Sequence, residues 1–483
     1  MKSRSNGWSR AAHSAPVCQL QFTRGETIVP PGKLKTFIAG LAIAAGALLL
    51  APGSAQAVPS FARQTGFACE ACHTVFPELT PYGRRFKLNG YTVDNLPQVS
   101  GMAPSKEETL VLNQLPPLSF MFQTSYTSTK KALPDTALPD AFAKNGQVLF
   151  PQQASLFYAG RIAPNLGAFV QMTYDGTSGS FGWDNTDIRY ARLASANFLW
   201  GISANNNPTV QDLWNTTSAW QSPFDQRSAT APGPSAATMI DGGLADAGVA
   251  GLSAYAYLYD SVYVELGAYR SAPAAAQIDS TSTNVVKGAA PYWRIAYERQ
   301  WGRNSWEVGA YGVEAKLYPG GDVPLSGPTN KYSDWALDSQ YQYIGDEHLV
   351  SVLATYIHEK QTLDATFGAG GSSNSSNDLK TLRVGASYYY RRKYGGALGY
   401  FSTKGSSDAL LYPQGDPVTS FANSKPDTNG WTAELDWVPY ENTKLALQYT
   451  MYDKFNGGDT NYDGTGRNAK DNNTLFLLGW INF

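Results

Sequence analysis

Two cysteines and a histidine stand together in Phe67-Ala68-Cys69-Glu70-Ala71-Cys72-His73. A thiol, two spacer residues, a second thiol and then an imidazole is the pattern that attaches a c-type haem. Each part has its chemistry. The thiols add across two vinyl groups to make thioethers, the spacer sets their separation, and the histidine reaches the iron from one face as an axial ligand. Three other readings compete for the same residues. A zinc knuckle needs four ligands, and beyond residue 57 the chain offers only His348 and His358 outside the motif. A thiol–disulfide redox pair sits beside a βαβ pattern, which this stretch lacks. The third is chance, although both cysteines beyond residue 57 fall inside the motif.

An iron held by His73 has a second axial position, ordinarily filled by Met or His. Met102, which lies 102 − 73 = 29 residues further on, is the first candidate. Met121, His348 and His358 follow, and an open or water-bound position stays in play. Arg84, Arg85 and Lys87 are candidates to pair with haem propionates, or else belong to a solvated surface.

Haem is attached to apocytochromes outside the cytoplasm, so the motif asks for an export signal. Phe37 to Ala51 (FIAGLAIAAGALLLA) follows Lys33 and Lys35 and leads into Ala55-Gln56-Ala57. This reads as a secretory signal over residues 1–57, cleaved after Ala57. The run is shorter than the ~20 residues a membrane helix needs. Cys18 leaves with the leader, so Cys69 and Cys72 are the only cysteines of the remaining 483 − 57 = 426 residues, and no ordinary disulfide framework can be built. Residues 58–115 then form a small domain of helical and irregular pieces. At about 55 residues its own hydrophobic burial is marginal, and the haem would supply much of its core.

From Leu118 onward the pattern has period two, and residues 116–483 read as a β-barrel. In Trp431 to Trp437, Trp431, Ala433, Leu435 and Trp437 share one face while Thr432, Glu434 and Asp436 share the other. Leu445, Leu447, Tyr449 and Met451 alternate likewise with Lys444, Ala446, Gln448 and Thr450. A soluble sandwich would bury its apolar face, whereas a membrane barrel turns that face to lipid around a polar lumen. Three features favour the membrane. Aromatics gather at strand ends (Trp437, Tyr440, Tyr388 to Tyr390, Trp293, Trp301), short turns alternate with long polar loops, and the last strand ends on Phe483. Sixteen antiparallel strands are expected, starting near 118, 153, 166, 186, 197, 246, 261, 290, 305, 332, 348, 380, 395, 429, 442 and 473; about that number leaves an aqueous channel. The longest loop, Asn205 to Gly243, is placed either in the lumen as a constriction or at the surface.

Composition agrees with sheet: 13% aromatic residues, 46 Gly and only 16% charged. A formal charge of −2 argues against a nucleic-acid partner. Mean hydropathy is −0.30, so a membrane crossing falls to strands rather than helices.

Val58-Pro59-Ser60-Phe61-Ala62-Arg63-Gln64-Thr65-Gly66 precedes the motif, and Pro77, Leu79, Gly83-Arg84, Phe86-Lys87 and Gly90-Tyr91 follow it. This string closely resembles the fused outer-membrane cytochrome-porins of iron-oxidising bacteria, in detail over the haem segment and in outline over the barrel. The resemblance implies one covalent haem c held by Cys69, Cys72 and His73, in a cytochrome that occupies or caps a sixteen-stranded porin. It also implies the outer membrane of a Gram-negative bacterium, extracellular Fe(II) as electron donor, and a periplasmic cytochrome or other carrier as acceptor. Iron oxidation as an enzymatic activity depends on that donor. The residues leave room for rivals: a porin for small solutes with a structural or gating haem, and a conduit for another donor such as a sulfur compound. A homo-oligomer is compatible with each. No catalytic residue stands out, and the loop acids Asp135, Asp140 and Asp184 are candidates to attract Fe(II), or else the scattered surface acids ordinary in barrels.

Overall fold

The computed structural model describes residues 59–93, 98–102, 108–133, 145–217, 227–246, 248–272, 284–319, 327–415 and 420–483. The segment read as an export signal lies outside the described residues. Sixteen long strands form one closed sheet: β1 (Leu118–Thr129), β2 (Gln147–Ala163), β3 (Leu166–Asp175), β4 (Ser180–Ser195), β5 (Phe198–Asn205), β6 (Val249–Leu258), β7 (Val262–Ser271), β8 (Ala290–Trp301), β9 (Asn304–Pro319), β10 (Asn330–Ile344), β11 (His348–Thr362), β12 (Ser376–Tyr390), β13 (Tyr394–Gly405), β14 (Thr428–Tyr440), β15 (Thr443–Lys454) and β16 (Thr474–Asn482). Each pairs antiparallel with its neighbour in sequence, and β16 returns to β1 with Thr474 opposite Thr129 and Asn482 opposite Met121. Closure removes the free edges that an open sheet would expose. A three-residue strand, Asn284–Val286, extends the ladder on β9.

The strands start close to where the alternation puts them; the largest offsets are at β2 (147 against 153) and β4 (180 against 186). The faces then decide between sandwich and membrane. On β14, Thr432, Glu434 and Asp436 are buried while Trp431 and Leu435 are exposed. On β8, Arg294 and Glu298 are buried while Trp293, Ile295 and Tyr297 are exposed. Charged side chains inside and apolar ones outside is the inverse of a soluble core. It is the arrangement of a barrel with lipid around it and a polar lumen within. Among the described residues no helix is long and apolar enough to cross a membrane, so the crossing belongs to the strands.

Connections at one end of the barrel are turns of two or three residues: 164–165, 196–197, 259–261, 302–303, 345–347, 391–393 and 441–442. Longer loops crowd the other end. Bacterial barrels of this kind keep short turns on the periplasmic side and long loops outside the cell.

Among the described residues, three helices precede the barrel: α1 (Pro59–Thr65), α2 (Cys69–Cys72) and α3 (Pro81–Leu88). Proline opens α1, which stops at Gly66 in the left-handed region (φ 71°). In α3, Pro81 follows Thr80, whose Oγ1 caps the helix by accepting from Gly83 N at 3.1 Å. A two-stranded hairpin, Gln98–Met102 with Glu108–Asn113, links this segment to β1, where the sequence suggested irregular chain. The run Thr109-Leu110-Val111-Leu112 has the β-branched and aliphatic character that favours a strand.

Candidate functional site

The helices do not stand apart from the barrel; they sit inside its short-turn mouth. Ser60 Oγ donates to Ala159 O on β2, and Tyr91 Oη donates to Asp187 on β4 at 2.6 Å. Tyr255 on β6 donates to Leu88 O at 2.6 Å. Ser351 on β11 donates to Glu78, and Phe76 packs edge-on to Trp480 of β16 at 4.9 Å. The turns join in: Arg85 pairs with Asp260, Arg392 donates to Thr74 O at 2.6 Å, and Glu441 accepts from Cys69 N at 3.1 Å. The segment thus touches the wall around most of its circumference. Ala55–Phe483 is accordingly one compact unit, and the wall supplies the burial that about 55 residues could not supply alone.

Within this plug, the motif is folded back on itself. Thr80 N donates to Cys72 O at 2.9 Å and Thr80 Oγ1 to Ala71 O at 2.7 Å, so the loop from His73 to Leu79 closes and brings α3 across α2. Gly83 makes the crossing: a Cβ there would lie 2.1 Å from Cys72 O. If the motif carries a haem, Gly83→Ala is therefore expected to force α3 off it and lower haem incorporation severalfold, read by a haem stain normalised to folded barrel. Wild-type loading would show that the close crossing is dispensable.

Cys69 is buried and Cys72 half-buried. Together with His73 they line one cleft, whose other walls include Phe61, Phe67, Phe76, Phe86 and Phe169 and which opens to solvent. The aromatic lining is the one usual for cofactor sites. His73 is half-buried, with its Nδ1 enclosed and without a hydrogen bond of normal geometry. Loss of solvent pushes its pKa down to about 4, against weak opposition from the backbone of Pro77 and Glu78. The ring is neutral at physiological pH, which is the metal-binding form. Burial pushes the Cys72 thiol up to about 11, the reverse of the lowered pKa that thiol–disulfide catalysts use. Among the described residues no group of three or more His, Cys, Asp or Glu is arranged to hold a metal ion. Zinc would need its donors to converge on one point. Thioether attachment instead spreads the thiols along a ring edge and leaves the imidazole to the metal, and the residues present fit that group.

The longest loop, between β5 and β6, enters the lumen from the other side. Asn207 caps a short helix, α4 (Pro208–Gln211), by accepting from Thr209 N at 2.9 Å. Asp212 then gathers Trp214 N at 3.0 Å and Thr217 N at 2.8 Å. Arg294 of β8 lies between the rings of Trp214 and Tyr311, at 4.9 and 4.6 Å, and pairs with Asp338. Further along the loop, Met239 N and Ile240 N donate to Glu359 and Asp334 at 2.6 and 2.8 Å. The constriction reading of this loop is the one the structure supports. Thr209, Val210 and Asn215 reach the cleft of Cys69 and His73, and Lys87 Nζ donates to Val210 O. Plug and loop are thereby joined.

No protein-family model matches the chain, and no curated protein does. Among solved structures it is similar to the Salmonella typhi OmpF complex with daunomycin, with 13% identity and a TM-score of 0.44, covering 76% of this chain and 97% of that one. It is also similar to the anion-selective porin from Comamonas acidovorans (13%, TM-score 0.41, 76% and 98% covered). The outer membrane channel DcaP of Acinetobacter baumannii gives the same identity and TM-score, with 76% and 96% covered. The architecture itself, a closed even-stranded antiparallel barrel with an apolar outer face, is that of outer-membrane proteins, and the chain is an outer-membrane barrel.

The remaining candidates are placed as follows. Met102 lies on the hairpin, and its side chain is outside what is described. Met121 faces inward and is packed among Phe157, Phe476 and Trp480, a cluster against which the cleft residues Phe76 and Phe169 also pack. His348 and His358 alternate with buried residues of β11 and so face outward, bonded to Tyr388 at 2.9 Å and Asp378 at 3.0 Å; neither can reach the motif. Arg84 is buried and paired with Glu298, which corrects its reading as solvated surface, whereas Arg85 pairs with Asp260 at the exposed mouth. Lys87 alone of the three lines the cleft, where burial, followed by the Arg189 charge, pushes its pKa down to about 8. Asp184 accepts from Thr173 at 2.7 Å, while Asp135 and Asp140 lie outside the described residues. Phe169 and the loop residues Thr209, Val210 and Asn215 were missed as parts of the cleft; only the loop's length hinted at the last three.

Proposed function

We propose that this protein carries electrons across the outer membrane through one c-type haem, covalently attached at Cys69 and Cys72 and ligated by His73, with extracellular Fe(II) as donor and a periplasmic carrier as acceptor. The observation that supports this most is the position of the C-x-x-C-H segment. It sits in a plug wedged into the short-turn mouth, and its cleft is shared with a loop that enters from the long-loop side. When bound, the haem supplies a one-electron Fe(III)/Fe(II) couple. The chain's own residues do the rest. Cys69 and Cys72 tether, His73 offers a neutral nitrogen, the ring of phenylalanines excludes water, and Phe67 and Tyr82, in edge-on contact, present exposed aromatic rings. The resemblance to iron-oxidiser cytochrome-porins supports Fe(II) as donor. Anaerobic stopped-flow mixing of oxidised, haem-loaded protein with Fe(II) is expected to give the reduced haem spectrum; a spectrum that stays oxidised removes iron from the proposal.

A second reading, a solute porin with a structural haem, is favoured by the strand number, since ~16 strands leave a water-filled bore. Plug and loop both occupy that bore here. Planar-bilayer recording separates the readings: a conduit is expected to pass few ions, a porin many.

A further inference from the structure

The cleft is not made by the N-terminal segment alone, and one loop residue in it has an unmet requirement. Asn215 lines the cleft beside Cys69, Cys72 and His73. Its side chain is nine-tenths buried, and its Nδ2 is enclosed with no hydrogen-bond partner among the described residues. Buried amide donors are nearly always satisfied, and a specific exception calls for a partner. The amide cannot simply turn to water, because the chain around it is pinned. Trp214 is buried with its N bonded to Asp212 and its O accepting from Gln340 at 2.7 Å. Thr216 donates to Asp338, and Thr217 N donates to Asp212. The backbone at Asn215 is left-handed (φ 56°), a conformation that Asn adopts more readily than other side chains. Lys87, held by Val210 O and at 3.3 Å by Asp212 O, fixes this loop against the helix that follows the motif.

We propose that Asn215 donates its side-chain N–H to an oxygen acceptor that arrives with the haem: a propionate carboxylate or a small oxygen ligand on the iron. The lumen loop is then a positioning element of the redox centre as well as a constriction. This rests on the reading of the cleft as a haem site, so the first measurement is a pyridine haemochrome assay on the wild-type protein; absence of haem there overturns that reading and this one with it. Given haem, Asn215→Asp keeps the size and the tolerance of left-handed backbone but replaces the donor with a carboxylate. Asn215→Gly suits φ 56° and removes the amide altogether. Spectroelectrochemical titration of Asn215→Asp is expected to show the midpoint falling by a tenfold change in the redox equilibrium, about 59 mV for one electron. Asn215→Gly is expected to shift it the same way by less. If the acceptor is a propionate, the variants alter the pH dependence of the midpoint and leave the iron-ligand bands unchanged. If it is an oxygen ligand on iron, resonance Raman bands of that ligand move. Variants that load haem fully and keep the wild-type midpoint and spectrum overturn the proposal.

Discussion

Replacing Cys69 and Cys72 together with Ser is expected to abolish covalent haem, lowering haem stain per folded barrel by at least about tenfold, while barrel assembly is retained. Ser preserves size and leaves the backbone untouched, so the bond from Cys69 N to Glu441 and the return of Thr80 onto Cys72 O survive. What it removes is the thiol, the only group here able to form a thioether. The strand ladder contains neither residue; β1 closes on β16 without them. Heat-modifiable mobility on gels, a property of intact barrels, supplies the folding control. Each single variant keeps one attachment and is expected to load less haem than wild type and more than the double variant. His73→Ala leaves the thiols in place, so covalent haem is expected to persist with altered iron spectra. Wild-type haem in the double variant would end the assignment of this motif, whatever else the barrel does.

The barrel was legible in the sequence because period two is a local signal: each lipid-facing residue of β14 or β15 announces itself by alternating with a polar neighbour. Closure and strand number followed from counting such runs. The lumen was harder to read, since there the usual burial rule is inverted. Glu298, Arg294 and Asp338 look like solvated residues in sequence and are buried against partners on other elements. Tyr389 lay in a run read as an interfacial girdle. It points inward and donates to Asp436, while its neighbour Tyr388 is exposed. The grouping of Cys69, Cys72 and His73 in one cleft was legible from spacing alone. Its surroundings were not, because Phe169, Val210 and Asn215 join the cleft only through pairings across roughly a hundred residues or more, which no local pattern encodes.

The same inversion hid the anchor of the plug, which yields the second large effect. Arg84 is almost wholly buried. It donates to Glu298 at 2.6 Å, Ser305 at 2.9 Å, Gln340 at 3.0 Å, Gln342 at 2.9 Å and the carbonyl of its own Leu79 at 2.9 Å. These partners lie on β8, β9 and β10, so one guanidinium ties α3 to three adjacent strands. Removing one member of a buried ion pair costs roughly 3–5 kcal/mol, mainly because the other charge is left uncompensated. At 1.4 kcal/mol per tenfold, Arg84→Ala is expected to raise the population of displaced plug by about two to three orders of magnitude. The strands lose no ladder bond, so the barrel persists with a less obstructed mouth. In planar bilayers the variant is expected to show ion conductance well above wild type, and limited proteolysis should cut near residues 59–93. Arg84→Met combined with Glu298→Gln removes both charges at once and is expected to recover part of the closure, since replacing both partners costs far less than orphaning one. Conductance that is high in wild type and unchanged in Arg84→Ala would mean that the plug does not seal the bore, and would turn the balance toward a solute channel.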